Sequence, residues 1–152
     1  MYKKHKWAIT ITFVSVFILT FFLNIDFEDI ASDCISIVSF ALAVYAICIS
    51  ALIGSPLLES LRSNVDVQLR ERTQLGVIKN YIRIAIFISV ITLVLACISK
   101  IKINSNIILL ILNKLNYLNP QQLFSSLCFA FFSLNFLFII FIFMFIINRQ
   151  VD

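Results

Sequence analysis

Apolar residues in this chain neither alternate nor recur only at helical spacing; they run unbroken. Four runs, at residues 7–24, 34–55, 81–99 and 122–148, approach or exceed the roughly 20 residues a helix needs to cross a bilayer. None holds an Asp, Glu, Lys or Arg except Arg83, two residues inside the third, where its long stem can lift the charge to the interface. Continuous runs predict helices, since the strands of a membrane barrel would alternate. The fold class expected is an all-α integral membrane protein, one four-helix domain over residues 1–152. No small-x-small site closes the first run; Asn24, Ile25, Asp26 and Phe27 follow it. The run therefore reads as a retained span rather than a cleaved leader.

The polar connections differ. NIDFEDIASD, Asn24 to Asp33, is short and acidic and predicts a tight hairpin of the first two spans. The segment 56–80, PLLESLRSNVDVQLRERTQLGVIKN, has a helical pattern: Leu58, Leu61, Val65, Leu69 and Leu75 keep close to one face. Glu59 precedes Arg62 by three residues and Asp66 precedes Arg70 by four, both favourable helical pairs. Pro56 opens the connector and Gly76 interrupts its pattern. An apolar stripe outside the membrane needs a cover, either a neighbouring copy or a soluble partner; an ordinary solvated connector is the alternative. The candidate partner-binding set is Leu58, Leu61, Arg62, Val65, Asp66, Leu69, Arg70, Glu71 and Arg72. The third connection, 100–121, carries Ile107 to Leu112, too short to span, flanked by Asn104, Asn106, Asn113 and Asn116. It reads as an amphipathic segment in the outer interface, with Tyr117 at headgroup level and Pro120 ending it. A re-entrant segment is the alternative.

Composition strengthens the membrane reading. The 152 residues are 61% apolar and only 13% charged, with a mean hydropathy of +1.03. A water-soluble fold of this size has too little interior to hide that much apolar surface. The net charge of +4 is dispersed at the ends of the runs, which marks topology rather than nucleic-acid binding. One side receives Lys3, Lys4, Lys6, Arg62, Arg70, Arg72, Lys79, Arg83 and Arg149; the other receives Lys100, Lys102 and Lys114 beside Asp26, Glu28, Asp29 and Asp33. Nine against three places both termini in the cytoplasm.

Within the second run, Ser36, Ser39, Ala43, Ala46, Ser50 and Gly54 recur at intervals of three, four, three, four and four. This is one helix face made of small residues. Helices in lipid hold together by close backbone approach, which such a face permits. It predicts helix packing, with a second copy of the chain favoured over another span and a pore lining as a further alternative. Asn135 lies near the middle of the fourth run; an amide in hydrocarbon needs partners, and packing across helices is its expected role.

Candidate chemistry is sparse. Cys34, Cys48, Cys97 and Cys128 show no CxxC spacing, so no metal site is expected. They read as small apolar residues, although Cys34 and Cys97 fall near the same face and a bridge between them is conceivable. The lone His5 sits in the basic MYKKHK start. No paired carboxylates, nucleophile–base set or phosphate loop stands out, and no cofactor is expected. An enzyme is not predicted. Repeats, broken helices and intramembrane charge, the marks of a transporter, are not evident either.

The basic MYKKHKW start, the four spans, the acidic outer turn and the LLESLRSNVDVQLRERTQLG connector together resemble the small membrane subunits of bacterial phage-defence systems. The nearest likeness is to the four-span KwaA family of the Kiwa system; the four-span phage-exclusion protein RexB shares the layout. The Kiwa resemblance implies a homo-oligomer, a tetramer by preference, in the inner membrane. It also implies a soluble cytoplasmic effector of the KwaB kind that acts on phage DNA after the membrane subunit has sensed infection. The expected function is thus an oligomeric sensor or scaffold that holds a soluble effector at the membrane, contacting lipid and protein but not nucleic acid directly. The alternative is a pore-forming or holin-like effector that depolarises the cell.

Overall fold

The computed structural model describes residues 1–53, 57–66, 69, 73–100 and 120–150. Among them the chain is helical, with α1 over Lys3–Leu23, α2 over Ala31–Ile53, α3 over Leu57–Ser63, α4 over Gln74–Lys100 and α5 over Pro120–Gln150. α1, α2, α4 and α5 are long and apolar enough to cross a membrane. The fold is compatible with a multi-pass transmembrane protein.

The helix ends follow local chemistry. α1 stops at Asn24, which takes a left-handed φ of 56°, a conformation asparagine tolerates better than most residues. A 3-10 turn, Glu28–Ile30, leads into α2. Thr73 precedes α4 and accepts the Gly76 N–H on its hydroxyl at 3.2 Å, the standard threonine cap at a helix start. Gly76 therefore lies inside the first turn of α4 and does not interrupt it, because the cap is set three residues earlier. Pro120 begins α5, where its missing N–H costs nothing.

Packing order departs from chain order. α1 lies along α5, α5 along α4, and α4 along α2, with a smaller contact between α2 and α5. The tight hairpin expected of the first two spans does not form a packed pair: the Asn24–Ile30 link is short, yet α1 leans on the last helix. Phe27 explains why. Its side chain is fully buried and meets Phe129 edge to face at 5.1 Å, while its N–H donates to Ser125 Oγ at 3.3 Å. The link is thereby bolted to α5, not folded back on α1.

α4 and α5 form the centre. One core joins Ala41 and Tyr45 of α2 to Tyr81, Ala85 and Ile88 of α4 and to Leu134, Phe138 and Ile142 of α5. A second, toward the Phe27 end, joins Ala31, Cys34 and Val38 to Ala96 and Cys128. Outward stand Trp7, Phe22, Phe40, Ile47, Phe87 and Ile140, all exposed. So many large exposed side chains suit hydrocarbon and not water.

The connector 56–80, read from its pattern as a helical hairpin, is helical among the described residues over Leu57–Ser63 and again from Gln74. Between them Val65 and Thr73 form an isolated antiparallel bridge, and the Gln74 N–H donates to Asn64 O at 3.1 Å. The described residues between α3 and α4, Asn64, Val65, Asp66, Leu69 and Thr73, are not helical. The expected outer segment 100–121 falls, over residues 101–119, outside the described residues.

Candidate functional site

Three features carry what the arrangement can do. The first is an aromatic and polar hub at the end where α1 and α4 begin. The Tyr2 hydroxyl donates to Asp66 Oδ2 at 2.5 Å, and the Leu69 N–H donates to Asp66 Oδ1 at 2.8 Å. The Tyr2 N–H donates to the Tyr81 hydroxyl at 3.1 Å, and the same hydroxyl is hydrogen-bonded to His5 Nδ1 at 2.7 Å. His5 in turn stacks flat on Phe141, centroids 4.1 Å apart. Asp66 is only 1% exposed. α1, the connector loop, α4 and α5 are thus tied at one point, the buried carboxylate being held by charge-assisted bonds.

The second feature is a polar knot inside the bundle. Asn135 is 2% exposed. Its Oδ1 accepts from Ser89 Oγ at 2.6 Å, and its Nδ2 donates to Thr92 Oγ1 at 2.9 Å and to Phe131 O at 2.9 Å. Its backbone carbonyl accepts from the Tyr45 hydroxyl at 3.4 Å. Ser89 and Thr92 also reach back to Ala85 O and Ile88 O within α4. The amide therefore satisfies itself across α4 and α5 in an apolar interior, where an unpaired group would be costly.

The third feature is the unused face of α2. Its buried side is Ala31, Cys34, Val38, Ala41 and Tyr45. Ser36, Ser39, Ala43, Ala46 and Ser50 are all exposed; Gly54 lies outside the described residues. The small-residue row and the intramolecular contact are on opposite sides of one helix.

The proposed partner-binding residues separate. Leu61 and Asp66 are buried, and Leu58 and Leu69 are half-buried, Leu69 against the main core. The apolar stripe of the connector is thus largely covered by the chain itself, because the loop folds back and Tyr2 reaches it. Val65, 56% exposed, and Arg62 remain outside, while Arg70, Glu71 and Arg72 lie outside the described residues. All four cysteines are free; Cys34 is buried and Cys97 faces outward, so the two do not meet.

From the sequence His5 is one more residue of the basic start, and Tyr2, Tyr45, Tyr81, Ser89 and Thr92 do not stand out. One signal was available: Ser89 and Thr92, three apart, share a helix face within an otherwise apolar run. The Tyr2–Asp66 bond spans 64 residues and leaves no local pattern. At the opposite end, Asp26 accepts from Gln121 Nε2 at 3.0 Å and Ser125 Oγ at 3.1 Å, and Lys100 donates to Ser32.

No protein-family model, curated protein or solved structure matches this chain.

Proposed function

We propose that this chain is the membrane-embedded, homo-oligomeric scaffold or sensor subunit of a bacterial defence complex, holding a soluble effector at the inner membrane. The observation that carries the oligomeric part is the exposure of Ser36, Ser39, Ala43, Ala46 and Ser50 on α2 while the same helix packs inward through its other side. A face built for close backbone approach, left open by its own chain, suits another copy. The polar groups deepest in the bundle, around Asn135, bond to one another, which suits a packing role better than a polar conduit.

The effector-holding part rests on the connector. With Leu61 and Asp66 turned inward, the described residues of the candidate set left exposed to a soluble partner are Arg62 and Val65, beside the segment that Asp66 anchors. The defence setting comes from the Kiwa-like layout alone, which is an analogy of architecture. Both termini and the connector lie on the cytoplasmic side in this reading, because they carry most of the Lys and Arg.

The test replaces Ala43 and Ala46 together with Leu. Both side chains are exposed, so the change clashes with nothing inside one chain. Membrane insertion should be intact, and the mass of the detergent-solubilised particle should fall toward that of a monomer. An unchanged particle mass would remove the oligomer from the proposal. Co-purification of a soluble protein encoded beside this chain tests the effector part.

A further inference from the structure

The hub fixes more than the connector: it fixes which way the basic start of α1 faces. His5 is turned inward onto Tyr81 and Phe141. Residues two positions to either side of it lie roughly 200° around the helix, at about 100° per residue. Lys3 and Trp7 are therefore carried to the opposite, outward face, one turn apart, with Lys6 beside them. All three are exposed, Trp7 at 70%. α4 repeats the arrangement. Tyr81 points into the hub, and Lys79 and Arg83, two residues to either side, are both exposed.

The sign of this end follows from the same bonds. Asp66, at the same end of the bundle, is buried and bonded to Tyr2 and the Leu69 N–H. It is not offered to the outside. Glu59 on α3 is exposed, against Lys3, Lys4, Lys6, Arg62, Lys79 and Arg83. Among the described residues the far end has the opposite character, with Asp26, Glu28, Asp29 and Asp33 exposed beside the single cation Lys100.

Resting on the membrane reading above, we propose that Lys3, Lys6 and Trp7 on α1 form a surface that binds the headgroups of anionic phospholipids; Lys79 and Arg83, turned away from the hub on α4, make a separate cationic face. Cations one helical turn apart have their Cβ atoms about 5–6 Å from each other, a spacing that lets two side chains converge on one phosphate. An indole beside them sits at the depth where tryptophan prefers to lie, its N–H toward the headgroups and its rings in the acyl region. Juxtamembrane Lys and Arg attract anionic lipid strongly enough for about fivefold local enrichment per residue. Salt screens that attraction.

Trp7 is the sole tryptophan, so its fluorescence reports from the surface itself. The full chain is reconstituted in phosphatidylcholine bilayers in which a fixed minor fraction of lipid carries bromine on its acyl chains, as either phosphatidylglycerol or phosphatidylcholine. Trp7 quenching by the brominated phosphatidylglycerol should exceed that by the brominated phosphatidylcholine several-fold. The excess should disappear in Lys3→Gln/Lys6→Gln and shrink at high salt, and it should persist in Lys3→Arg/Lys6→Arg, which keeps the charge and the topology signal. Equal quenching by the two lipids in the unaltered chain overturns the headgroup surface and leaves the membrane reading standing. Quenching by neither overturns both.

Discussion

The Tyr2 hydroxyl stands 2.5 Å from Oδ2 of Asp66, joining the first residues of the chain to a loop on the far side of two apolar helices. Asp66 is buried, and its other oxygen holds the Leu69 N–H. The loop between α3 and α4 is thus held from inside by a residue outside its own segment.

Tyr2→Phe keeps the ring and removes the donor. A hydrogen bond to a charged group contributes about 1.5–3 kcal/mol, and the connector should loosen by an amount of that order. Hydrogen exchange at the Leu69 amide should quicken while amides in the middle of α4 keep their protection. Unaltered exchange at Leu69 would mean that Tyr2 does not hold the loop.

Asn135→Leu removes the centre of the internal knot but orphans little, because Ser89 and Thr92 keep their bonds to Ala85 O and Ile88 O. Interhelical hydrogen bonds in membranes contribute about 0.6–2 kcal/mol. A loss in that range, read from unfolding in mixed micelles, is expected. Asn135→Asp should cost more, since it places a charge where the Nδ2 donor had met Thr92 and Phe131 O.

Leu61 and Val65 should part company under the same substitution. Leu61→Asp puts a carboxylate at a buried position and should lower stability and expression. Val65→Asp changes an exposed one and should leave folding intact. If the effector docks on the connector, Val65→Asp alone should abolish co-purification and the protection of cells against phage. Protection that survives loss of the partner would favour an effector that acts by itself on the membrane.

Sidedness is open to direct measurement. In a cysteine-free background, Val65→Cys should react with an impermeant maleimide only after cells are opened, and Glu28→Cys should react in intact cells. The reverse pattern would invert the orientation drawn from Lys and Arg.

Four helices were legible because a helix in lipid must be apolar for its whole length, and Arg83 was the only charge to intrude. Their arrangement was not. That α1 leans on α5 depends on Phe27 seated against Phe129, and a buried phenylalanine in a short acidic turn looks like any other from its neighbours. The connector misled for a related reason. Leu58, Leu61, Val65 and Leu69 fit one helical face, but the Val65–Thr73 bridge and the Asp66 anchor compete with the helix, and tertiary contacts outweigh weak propensity. Asp66, read as surface charge, is interior because a partner 64 residues away supplies its hydrogen bond.

The pairing of α1 with α5 also sets an order of events during synthesis. α1 ends at Leu23 and α5 begins at Pro120. At about 5–20 residues per second, the ribosome delivers α5 roughly 5–20 seconds after α1. α2 and α4 can meet in that interval, whereas α1 must wait for its main packing partner. Of the four long helices, the earliest made is then the last to find its seat.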